Sequence, residues 1–71
     1  MKTITINHEP VELFKILKFE GLASSGAEAK KNITEGLVKV NDNVEIQKRK
    51  KILIGDKINF NGETFLIAGE S

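Results

Sequence analysis

The residues best equipped for chemistry in this chain are cations, and they are unevenly spread. Between Ser24 and Lys51 stand seven Lys/Arg and four Asp/Glu, a net of +3, while the rest holds four against six, a net of −2. The total of +1 over 71 residues therefore conceals a basic face on an otherwise acidic chain. That asymmetry is the footprint of a surface that binds a polyanion, most often nucleic acid. The densest stretch is Lys48-Arg49-Lys50-Lys51. Arg49, the sole Arg, can grip a phosphate through two parallel hydrogen bonds, which Lys cannot. The rival reading of this run is an edge strand kept from aggregating by its charge.

Three further positions join that run. Ser24-Ser25-Gly26 opens a helix whose first N–H groups and positive dipole end suit an anion, and the small residues let a phosphate come close. Ser25 also suits a plain capping role. Lys31 has Glu28 and Glu35 at helical spacing and is expected to be neutralised within its helix, whereas Lys30 has only Gly26 and Thr34 there and is left to face a partner. Lys39 is an outward cation flanked by inward valines. Asn41 has the chemistry of a turn residue before anything else.

Other chemistries lack their residues. His8 is solitary, with no Ser or paired acid at a spacing that suggests catalysis or a metal site. There is no cysteine, which excludes disulfides and thiolate ligands and fits a reducing cytoplasm. No phosphate loop or nucleophile elbow is present. Neither enzymatic activity, nor a cofactor, nor a metal is expected. No apolar run approaches a membrane span, and the N-terminus has no apolar signal core, so no membrane partner is expected. With four Phe and no Trp or Tyr, a stacking platform for single-stranded bases is poorly supported.

The elements that must position these residues follow from periodicity. Thr3 to Ile6 alternates as a strand. Pro10 suits the first turn of a helix over Val11–Phe19, with Leu13, Ile16 and Leu17 on one face, Phe14 widening the stripe and Gly21 ending it. Phe14, Phe19, Phe60 and Phe65 are expected in the core. Ser25 and Glu28 form an S-x-x-E capping box for a second helix, which carries a stripe of Ala27, Ala29 and Ile33 and ends at Gly36. Val38 and Val40, then Val44 and Ile46, make a hairpin about Asn41-Asp42-Asn43. Ile52 and Ile54, then Ile58 and Phe60, precede Asn61-Gly62, the strongest hairpin signal in the chain. Thr64 to Ile67 closes the sheet, and Gly69 to Ser71 is expected to fray. Helices followed by strands imply an α+β fold: two N-terminal helices packed on a small, largely antiparallel sheet of four to five short strands, in one domain spanning 1–71.

The segment LFKILKFEGLASSGAEAKKNITEGLVKVN resembles the core of the RNA-binding domain of the ribosomal protein S-four type, also called the αL motif, and QKRKKILIGDKINF continues the likeness. It covers roughly residues 11 to 60 and is nearest the small stand-alone members of YbcJ/YaaA type. The ordered set of A-x-A-K, E-G-x-V-x-V-N and K-x-x-x-G-D is specific, although no one piece is. The resemblance implies an RNA-binding module whose face is the start of the second helix with the following hairpin. Carried over, this points to Ser25, Lys30, Lys39, Asn41, Lys48, Arg49 and Lys50. Many members have Arg directly after the capping Ser. Here that position is Gly26, and one expected phosphate contact is missing.

The leading expectation is a cytoplasmic, monomeric, non-catalytic protein that holds the phosphates of structured RNA, ribosomal and transfer RNA being the candidates. Phosphate contacts alone do not separate RNA from DNA. The alternative is an adaptor whose basic face docks an acidic protein or a ribonucleoprotein. Such a dock needs exposed apolar anchors, and none is obvious in the sequence. A third reading, the detached RNA-binding appendage of a pseudouridine synthase, is left with no segment to carry catalysis.

Overall fold

The computed structural model describes residues 1–70. Its elements run β1 (Lys2–Ile6), β2 (Val11–Glu12), α1 (Leu13–Phe19), α2 (Gly26–Thr34), β3 (Val38–Val40), β4 (Asn43–Val44), β5 (Lys51–Ile52), β6 (Lys57–Phe60) and β7 (Glu63–Gly69). Five strands form one sheet in the order β1-β7-β6-β3-β4, and β2 and β5 form a separate two-stranded ribbon. Every pairing is antiparallel except β1 with β7, where Ile4 lies opposite Ile67. The fold is therefore the expected α+β arrangement, with a small ribbon added.

Helix α1 starts two residues later than periodicity suggests. Val11 is buried and pairs with Ile52, so it is drawn into the ribbon rather than the helix. Glu12 becomes the N-cap in an extended conformation, with no side-chain cap of its own, and Pro10 stays outside the helix. Both helices end as their glycines require. Leu22 N–H donates to Leu17 O and Gly21 N–H to Lys18 O, while Leu37 and Gly36 repeat the pattern onto Asn32 and Ile33. These are Schellman closures, and they need the positive φ of +73° at Gly21 and +79° at Gly36. The two-residue turns Asn41-Asp42 and Asn61-Gly62 also sit at positive φ, which matches the twist of the hairpins they join.

Period-two alternation on the sheet and helical spacing on α1 and α2 converge on one core. Leu13, Leu17, Ala29, Ile33, Val38, Ile52 and Ile58 are wholly inaccessible, and Phe60, Phe65 and Ile67 complete the sheet side. Among the described residues no charged or polar one is buried with them.

Several expected core or strand positions lie elsewhere. Phe19 is 71% exposed, because it follows Leu17 by two residues and points about 200° around the helix from the buried face. Ala27 is exposed for the same reason relative to Ala29. Phe14 is half-buried at the rim of the core. Pairing with β3 ends at Val44, so Ile46 has no sheet to enter, and both side chains are exposed along with Leu37, Leu53 and Ile54. The surface thus carries apolar side chains that sequence patterning did not reveal. Lys48 and Arg49 occupy a turn rather than an edge strand. Gly69 is held in β7, and Glu70 N–H donates to Ile6 O at 3.0 Å, so neither frays, whereas Ser71 lies outside the described residues.

Candidate nucleic-acid interface

A helix start leaves N–H groups without partners, and at α1 the basic turn supplies them. Leu13 N–H donates to Lys50 O at 2.9 Å and Phe14 N–H to Lys48 O at 3.1 Å. Lys50 N–H closes the turn onto Gln47 O at 3.1 Å. The backbone of the cationic run is thereby fixed against α1, and the exposed side chains of Lys48 and Arg49 extend from an anchored frame. The β2–β5 ribbon, with Glu12 opposite Lys51, fastens the same junction one step further along.

At the start of α2, Ser25 is the N-cap, and its Oγ accepts the Glu28 N–H at 3.1 Å. The expected capping box is only half made, because the Glu28 carboxylate takes the hydroxyl of Ser24 instead of returning to the Ser25 backbone. Glu28 is engaged in that bond, and among the described residues the ion pairs are Lys2–Glu63, Lys15–Glu12 and Arg49–Glu12. Lys31 therefore lacks the intrahelical neutralisation expected of it.

The two helix starts and the turn meet at Phe14. A Cβ placed on Gly26 would lie 3.9 Å from the Phe14 ring and 3.9 Å from Lys18 Cδ, so both side chains of α1 run alongside the first residue of α2. The ammonium of Lys30 stands 4.6 Å from the ring centroid, the guanidinium of Arg49 5.5 Å and the ammonium of Lys15 6.0 Å. All three are within the range at which an aromatic quadrupole attracts a cation. One carboxylate answers them: Glu12 Oε1 lies 3.3 Å from Lys15 Nζ, and Glu12 Oε2 lies 3.4 Å from Arg49 Nη1. Burial works against the ionised form of Glu12, but the hydrogen bonds and charges of Lys15 and Arg49 outweigh it and hold its carboxyl below the ordinary value. Arg49 directs one edge of its guanidinium at Glu12 and remains largely exposed, with further donors available to an anion.

The expected site residues divide accordingly. Lys30 and Arg49 are brought together about one ring, and Lys48 and Lys50 flank Arg49 on the anchored turn. Ser25 adjoins them through Gly26. Asn41 does not join them. Its amide donates to Asp56 Oδ1 and its Oδ1 accepts the Lys57 N–H, both at 3.0 Å, so it ties the β3–β4 turn to β6. Lys39 alternates outward between buried Val38 and Val40, opposite Asn59, and so stands on the sheet face turned away from the helices. Phe14, Lys15, Lys18 and Glu12 are members of the cluster that sequence spacing left out. The available signal was Phe14 with Lys18 at i,i+4, a pair just off the buried stripe.

Among the described residues no group of three or more His, Cys, Asp or Glu could hold a metal ion. His8 Nδ1 is hydrogen-bonded to its neighbour Asn7 at 2.8 Å. Among the described residues no helix is long and apolar enough to cross a membrane.

Known proteins are similar to this chain in sequence and in fold. The chain is 46% identical over 65 residues to the Escherichia coli (strain K12) protein named "Putative RNA-binding protein YbcJ", which covers 90% of this chain and 93% of that one. The identity to the Shigella flexneri protein named "Uncharacterized protein YbcJ" is the same, 46% over 65 residues. The solution structure of E. coli YbcJ, described as revealing an αL motif involved in RNA binding, superposes with a TM-score of 0.72 at 43% identity, covering 96% of this chain and 87% of that one. The sequence profile of the S4 domain matches residues 4–68, and with these relatives it establishes that the chain belongs to the S4 domain family.

Proposed function

We propose that this chain is a non-catalytic RNA-binding protein that holds the phosphates of structured RNA, ribosomal or transfer RNA, acting as a monomeric single domain in the cytoplasm. The observation that carries the reading is the convergence of Lys15, Lys30 and Arg49, from α1, α2 and the 47–50 turn, on one ring with a single carboxylate to offset them. Like charges gathered this closely repel one another, and a phosphate chain relieves that repulsion. Lys30, Lys48, Arg49 and Lys50 are the phosphate ligands, with Lys15 and Lys18 beside them. Ser25 and Asn41 set the local backbone, and Lys39, on the other sheet face, has no share in the cluster. The name and description of the E. coli relative support RNA as the polyanion.

Binding is mainly electrostatic and reads shape more than sequence, as expected where base-reading side chains are few. With about four to five phosphate contacts, the log–log salt slope for a structured RNA is about −3 to −4. A slope near zero contradicts the proposal. An equal preference for duplex DNA removes RNA as the specific ligand. The adaptor reading draws support from exposed Leu37 and Val44, at the far end of α2 from Gly26. Changing both to Ser leaves the RNA affinity intact if the face described above is the binding surface.

A further inference from the structure

Phe14 is neither a full core residue nor a free surface one. It is half-buried, and three cations from three segments surround it. A long Lys or Arg side chain normally samples many rotamers, and fixing it on binding costs entropy. An aromatic face near the cation restricts that sampling before the ligand arrives. The Lys30 ammonium, at 4.6 Å, and the Arg49 guanidinium, at 5.5 Å, lie near the same ring, so one side chain lies beside both although they stem from different segments.

We propose that Phe14 is a positioning residue for phosphate recognition, holding Lys30 and Arg49 as a preset pair for the same stretch of RNA backbone. The inference rests on the RNA-binding reading above. It assigns Phe14 no contact with RNA. Its contribution is that the two cations enter binding already ordered. Glu12 complements the ring by restraining Arg49 from one edge of its guanidinium.

The test uses the full chain and a synthetic RNA stem-loop, with affinity followed across a salt series. Phe14→Leu keeps apolar volume at the rim and removes the aromatic face. Its affinity falls about three- to tenfold, part of the cost of ordering two long cationic side chains. Its salt slope stays at the wild-type value, because no cation is lost. Lys30→Ala, by contrast, makes the slope shallower by about one. Phe14→Tyr, which restores the face, binds as wild type. In a Lys30→Ala, Arg49→Ala background, Phe14→Leu causes no further loss. In the free protein, the terminal methylene protons of Lys30 show an upfield ring-current shift that Phe14→Leu abolishes. Should Phe14→Leu not fold, Phe14→Met carries the same comparison. An unchanged affinity for the folded variant, a loss that persists in the double background, or a Lys30 shift that survives the substitution overturns the inference. Wild type that binds no RNA overturns the reading beneath it. Wild type that binds, with Phe14→Leu its equal, overturns this inference alone.

Discussion

Gly26 stands where many S-four-type domains carry Arg, and the structure says what Arg would do there. A Cβ at this position meets the Phe14 ring and Lys18 Cδ at 3.9 Å, which is ordinary van der Waals contact, so the first atom of a Gly26→Arg side chain is admitted without displacement. Its stability effects nearly cancel. Replacing a helical Gly gains at most about 0.8 kcal/mol. A cation at the positive end of α2 costs about 0.3–1 kcal/mol, and a like charge at Lys30, four residues on, costs about 0.2–0.5 kcal/mol. The RNA effect does not cancel. One additional phosphate neutralised adds about 0.9 to the magnitude of the salt slope, which corresponds to a gain of about eightfold at ~0.1 M salt and about twofold at ~0.5 M. Fluorescence anisotropy with a labelled RNA stem-loop at both salt concentrations measures it. Gly26→Ala, which has the helix gain without the charge, leaves affinity unchanged, and Gly26→Glu reverses the sign. An Arg variant that folds normally yet binds no tighter at low salt, or whose gain does not fade with salt, refutes the placement of the phosphates against the start of α2.

Three other outcomes are expected. Ser25→Ala removes the acceptor of the Glu28 N–H and costs about 1 kcal/mol, read as a lower urea midpoint at unchanged m-value. Gly36→Ala costs about 1–2 kcal/mol through its φ of +79° alone, since the new Cβ would meet only Val44 Cγ1 at a comfortable 3.6 Å, and Gly36→Asn recovers part of the loss. Glu12 has a folded-state pKa below its unfolded one, so its contribution to stability is complete above the unfolded value and is lost as pH falls through the folded one, in the acid range below ordinary carboxylates. Thermal unfolding across that range falls less steeply for Glu12→Gln than for wild type, and equal slopes contradict the pairing with Lys15 and Arg49.

The sequence was most legible where a single residue type decides the backbone. Gly21 and Gly36 end helices, Asn61-Gly62 makes a hairpin, and Ser25 caps α2, each because few other residues tolerate or satisfy those positions. It was least legible where the outcome depends on what a segment meets in space. Val11 has helical spacing with its neighbours, yet pairing with Ile52, forty-one positions on in the chain (52 − 11), draws it into a ribbon. Ile46 alternates like a strand residue, but β3 ends before it can be paired. Phe19 is as apolar as Phe65 and is exposed only because of its angle on α1.

The candidate site shows the same division. Counting acidic neighbours at helical spacing set Lys30 apart from Lys31, a local argument, but the ion pairs it anticipated for Lys31 are not among those that form. Phe14 could not be found that way, because its role is defined by cations on three different segments. The basic run adds a further step. Periodicity treats Lys48 to Lys51 as side chains alone, whereas the structure uses the carbonyls of Lys48 and Lys50 to satisfy the first N–H groups of α1. Backbone and side chain thus serve separate purposes at the same residues. Alanine at Lys48 or Lys50 removes a charge and leaves the acceptor in place, so lost affinity can be read there without lost fold. Proline at Lys50 has the opposite effect, since it removes the N–H that closes the turn onto Gln47 and loosens the frame on which Arg49 is carried.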